Sequence, residues 1–77
     1  MNKLTLKEFN DERIVYLYQP EGKGECGEVV YVFADNEAKI TKIAEEPSSW
    51  YSNKAILKVQ ECVKKNNLPI KFTQAWY

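Results

Sequence analysis

The residues with the strongest claim to chemistry lie in one short stretch, Gly22-Lys23-Gly24-Glu25-Cys26-Gly27-Glu28-Val29. Glycines at this spacing let backbone N–H groups approach the oxygens of a phosphate. Lys23 adds a cation, but Glu21, Glu25 and Glu28 surround it with like charge that repels an anion. The same three glutamates suggest a hard divalent cation, yet they lack the tight Asp/Asn spacing of a calcium loop. Cys26 stands beside Glu25 and near Glu28, which disfavours its thiolate. No histidine occurs anywhere in the 77 residues. That removes imidazole acid–base chemistry, Cys–His dyads and Ser–His–Asp triads together.

The glycine stretch matches G-x-G-x-x-G-x-V, the form of the phosphate-covering hairpin of protein kinases. No V-A-I-K, H-R-D or D-F-G follows, and a dinucleotide-binding turn would need a helix where this chain resumes a strand. The stretch is therefore expected to be a hairpin loop whose glycines occupy positive-φ positions. No cofactor, metal or small-molecule ligand is expected. Cys26 and Cys62 are expected as free thiols, Cys62 on the apolar face of a helix.

Two further sets of residues could make contacts. Trp50 and Leu57 are seven residues apart, so on a helix they share a face opposite the Ile56/Val59/Val63 stripe. A protein partner or a second copy could dock there. Lys54, Lys58 and Lys65 form a basic stripe that could meet nucleic-acid phosphates, with Trp50 or Tyr51 stacking on bases. Net neutrality, with eleven basic and eleven acidic side chains, disfavours a nucleic-acid partner.

The elements that must position these residues follow from periodicity. Alternation around Leu4 and Leu6, ending near Phe9, marks a first strand, and Asn10-Asp11-Glu12 a turn. Residues 13–19 (RIVYLYQ) and 28–34 (EVVYVFA) are β-branched and aromatic and read as strands. Asp35-Asn36 suits a two-residue hairpin turn, which would pair Ala34 with Glu37, Val32 with Lys39 and Tyr31 with Ile40. Val29, Tyr31 and Phe33 would then share the core face with Ala38 and Ile40. Val30 and Val32 would lie with Lys39 and Thr41 on the other face. Residues 37–44 complete the hairpin.

Ser48 or Ser49 is placed to cap a helix in which Ala55, Ile56, Val59, Cys62 and Val63 make one apolar face. Asn66-Asn67 before Pro69 would stop it. Ile70, Phe72 and Trp76 share the parity of a last strand. The order is ββββαβ, an α+β single domain spanning residues 1–77 with a mainly antiparallel sheet and one helix packed on one face. The second strand is apolar on both faces, and one helix cannot cover both, so Val30 and Val32 join Trp50 and Leu57 as expected contact residues. The first residues carry charges rather than a signal-peptide apolar core, and the longest apolar run has six residues, pointing to a cytoplasmic protein without a membrane span.

Zero net charge conceals an asymmetry. Residues 8–46 hold ten acids against four bases, whereas residues 47–77 hold five lysines against one acid. The expected function is a non-enzymatic protein-interaction module, with weak nucleic-acid binding as the alternative.

Overall fold

A computed structural model describes residues 1–45 and 49–75. Five strands, β1 (Asn2–Phe9), β2 (Arg13–Pro20), β3 (Gly27–Val32), β4 (Glu37–Lys42) and β5 (Lys71–Gln74), form one sheet in the order β4-β3-β2-β1-β5. Every neighbouring pair is antiparallel. The helix α1 (Trp50–Lys64) joins β4 to β5 and packs on one face, mostly over β3 and β4. The chain is therefore an α+β domain with an antiparallel sheet and a single covering helix, as its periodicity indicates.

The core lies between α1 and the sheet. Leu4, Ile14, Tyr16, Tyr18, Val29 and Tyr31 supply the strand side, and Ala55 and Val59 the helix side. Small residues on α1 let the tyrosine rings fit beneath it. Each buried tyrosine also finds a polar partner for its hydroxyl, which removes the cost of burying it. Tyr16 donates to the Pro69 carbonyl at 2.6 Å, and Tyr18 accepts the Ala44 N–H at 3.0 Å. Among the expected helix residues Cys62 is buried, while Ile56 and Val63 pack at the margin.

Several sequence expectations need correction. The β3–β4 hairpin does not turn on Asp35-Asn36 alone. Residues 33–36 form the loop, with the Asp35 N–H on the Val32 carbonyl and the Asn36 N–H on the Phe33 carbonyl. A two-residue turn of that kind needs two positive-φ residues, and here only Asn36 (φ 51°) adopts one. The register is accordingly Val32↔Glu37, Tyr31↔Ala38 and Val30↔Lys39. It differs from expectation by two residues, and an even shift leaves every side chain on its expected face. Phe33 is displaced out of the strand and becomes exposed, its ring meeting Tyr31 edge-on.

The start of the helix differs as well, whereas its expected stop at Asn66-Asn67 is found. Ser49 occupies the N-cap position without a side-chain cap hydrogen bond, and Ser48 lies outside the described residues. At the other end Asn66 takes φ 52°, with its N–H on the Val63 carbonyl and the Asn67 N–H on the Cys62 carbonyl. This is a Schellman stop carried by asparagine instead of glycine. Ile70 precedes β5 and is exposed, and Trp76 lies outside the described residues.

The largest correction concerns the face without a helix. Val15 and Val30 are only 4% and 6% exposed there. Charged side chains roof them, joined as Arg13–Glu8 (2.6 Å) and Lys7–Glu28 (3.1 Å), with Thr41 donating to Glu28 at 2.9 Å. The hydrocarbon stems of such residues shield apolar surface while their charges stay in water. A second covering element is not required.

Candidate functional site

The outer face of α1 is built by residues that the core leaves over. Helical geometry sends Ser52, Ala55, Val59 and Cys62 inward. Trp50 and Leu57 then point away from the sheet, about 10 Å apart along the axis. They are 52% and 59% exposed, and neither belongs to the buried core cluster. The Lys54 ammonium sits over the Trp50 ring, 4.7 Å from its centre, an i,i+4 cation–π contact. The result is a rigid aromatic surface edged by positive charge.

The proposed basic stripe is arranged less openly than its spacing suggests. Lys58 and Lys65 both reach Glu61 Oε1, at 3.5 and 2.9 Å, so one carboxylate answers two of the three lysines. The Lys65 hydrogen bond, followed by the charges of Lys58 and Lys65, holds the Glu61 carboxyl below its ordinary pKa. Lys58 also lies 6.0 Å from the centre of the Phe72 ring. Glu61 stands three residues after Lys58 and four before Lys65, so this pairing was readable from the sequence.

Val30 and Val32, the other expected contact residues, floor a cleft of about 310 Å³ on the helix-free face. Lys7, Glu8, Arg13, Glu28, Lys39 and Thr41 surround it. Its apolar floor is narrow: Val30 is buried and Val32 half-buried. The structure thus separates the four candidates into an exposed pair on α1 and a pair that floors a charged-rimmed cleft on the sheet.

The glycine loop is closed on itself. Its first N–H groups are consumed locally, Glu21 on the Met1 carbonyl, Gly22 on that of Gln19 and Lys23 on that of Pro20. The Gln19 side-chain amide donates to the Gly24 carbonyl at 2.8 Å. Glu21 accepts from the Met1 ammonium at 2.7 Å and from the Tyr51 hydroxyl at 2.9 Å. Gly22 and Gly24 have the expected positive φ, at 69° and 76°. Gly27 does not. A Cβ at Gly27 would collide with the Tyr18 ring and stand 2.7 Å from the Ala44 nitrogen, so close packing excludes a side chain there. The third glycine of the motif therefore serves the core rather than a phosphate cradle.

Neither cysteine forms a disulfide: Cys26 is half-buried, and Cys62 is buried with its thiol pKa pushed up chiefly by that burial. Among the described residues, no group of three or more acids and thiols is placed to hold a metal ion. Among them, too, no helix is long and apolar enough to cross a membrane. Two exposed aromatics escaped the sequence reading, Phe9 at the end of β1 and Phe33 in the β3–β4 loop. Phe33 alternates with the core residues Val29 and Tyr31, while Phe9 comes to the same face only through the irregularity in β1 between Leu6 and Glu8.

Compared with models of protein families, with curated proteins and with solved structures, the chain matches none.

Proposed function

We propose that this protein is a non-enzymatic interaction module that binds a protein partner through the outer face of α1. The observation that carries the proposal is the pair Trp50 and Leu57, two large apolar side chains more than half exposed on one face of a regular helix. Trp is the residue type most enriched at energetically dominant contact positions, and its stiff ring is ordered at low entropic cost. Leucine alone would be an ordinary surface residue. Beside a tryptophan already oriented by Lys54, it extends an apolar strip with a polar border. Several features argue against catalysis in the same chain: the lack of histidine, the raised Cys62 thiol and a glycine loop whose first N–H groups are already engaged.

Photo-crosslinking in the producing cells tests this proposal. A benzophenone side chain at position 57 is expected to give discrete protein adducts, which Trp50→Ala removes while thermal unfolding stays cooperative. The same probe at Lys39, on the other side of the molecule, is expected to give none. Equal labelling from both positions, or no adduct from position 57, would refute the proposal.

A further inference from the structure

We infer that the partner is a second copy of this chain, docked head to tail, with the acidic end of one sheet on the outer face of α1 in the next molecule. The inference rests on that face being a contact surface. The β1–β2 and β3–β4 turns lie at the same end, tied together by the Phe33 N–H donating to the Glu12 carbonyl at 3.1 Å. They bring Asp11, Glu12, Asp35 and Glu37 to one exposed end, and none of the four joins an ion pair among the described residues. Glu8, at the same end, is already neutralised by Arg13.

This end also carries apolar anchors. Phe9 pairs with Ile14, Ile14 pairs with Tyr31, and the Tyr31 ring meets that of Phe33 with centres 5.5 Å apart. Phe9 is 60% exposed and Phe33 also emerges, so a row of buried residues ends in an exposed ring on either side. Aromatic groups bordered by unpaired acids complement an aromatic strip bordered by lysines. On α1 that border is Lys54, Lys58, Lys64 and Lys65, offset only by Glu61.

Charge also selects the mode of pairing. Two acidic ends repel each other, as do two basic helix faces, so both symmetric dimers are opposed. The heterologous contact joins opposite charges, and the resulting pair retains one unused surface of each kind. Assembly then continues as an open chain or closes as a ring.

Sedimentation velocity over a concentration series is the test, with two charge-reversal variants. Wild type is expected to self-associate, with a Kd at least about tenfold weaker at ~0.5 M than at ~0.05 M salt. Asp11→Lys/Asp35→Lys blocks one surface and Lys54→Glu/Lys64→Glu the other, so each variant alone should sediment as a monomer. Mixed, they should associate again, because each supplies the surface that the other lacks. Wild type that stays monomeric throughout overturns the inference, as does an Asp11→Lys/Asp35→Lys variant that associates like wild type. Crosslinks from position 57 to a different protein would then leave the outer-face reading of α1 intact, whereas their absence would remove both.

Discussion

Tyr16 shows how much a single side chain carries in a domain this small. Its ring is wholly buried, edge-on to Phe72, and its hydroxyl fixes the Pro69 carbonyl in the connection between α1 and β5. Burial, with a smaller contribution from the charge of Cys62, pushes the phenol up to about 12 from an ordinary value of 10. Above pH 10 the unfolded chain gives up this proton while the folded chain keeps it, so ionisation favours unfolding. Stability should therefore fall as pH rises from about 10 to about 12, and urea denaturation midpoints should show it. Tyr16→Phe should make that decline shallower, at a cost near 1 kcal/mol at neutral pH for the lost hydrogen bond. An unchanged slope in the variant would contradict this account. At the residue scale the sequence was a partial guide. Its alternation puts Tyr16 and Tyr18 on one face of the second strand, but with the opposite face apolar too it did not mark theirs as the core. It misread Gly27, because a glycine required by a neighbouring ring and one required by a positive φ are written with the same letter.

Elements were more legible than residues, for a physical reason. Strand and helix periods are set by backbone geometry, so the ββββαβ order and the faces shared within the paired parts of β3 and β4 survive even the two-residue error in their register. What periodicity lacks is any account of how long side chains fold over a neighbour. Val15 and Val30 were expected to need an external cover, yet Lys7, Glu8, Arg13 and Glu28 close over them within the chain. Exposed ion pairs of this sort contribute little by themselves, so the burial beneath them is the larger effect. Val30→Ala should accordingly destabilise the domain by about 2 kcal/mol, as a core truncation does. Leu57→Ala, on the open face of α1, should change stability by no more than about 0.5 kcal/mol. Chemical denaturation of the two variants separates a structural valine from a contact leucine. Comparable losses at both positions would place Leu57 in the fold rather than at a contact surface.

At the scale of the whole molecule, the sheet has to be completed from its far edge. β1 to β4 form a meander of local hairpins, but β5 returns across α1 to pair with β1, bringing Asn2 opposite Gln74. Such contacts between distant parts of the chain carry the largest loop-closure cost, and periodicity says nothing about which edge a last strand will choose. At the β4 edge the Gln60 side chain accepts the Ala38 N–H at 3.3 Å, occupying a group that an added strand would use. On the β5 side Asn2 of β1, fully buried, donates to the Tyr51 carbonyl at 3.0 Å and to Gln74 Oε1 at 3.2 Å. Gln74 in turn donates to the Lys54 carbonyl at 2.9 Å, so two amides bind β1, β5 and the first turn of α1 together. An asparagine among strand residues gives no hint of this in the sequence, since its value lies in partners 49 and 72 positions away. Asn2→Ala removes both of these donated hydrogen bonds, at a cost of roughly 1–3 kcal/mol. The loss should be local: hydrogen exchange of the β5 amides should quicken at least about tenfold, while β2 and β3 keep their relative protection. Equal acceleration in all five strands would mean that the sheet opens as one unit, and that the Asn2–Gln74 network is not what holds its last strand.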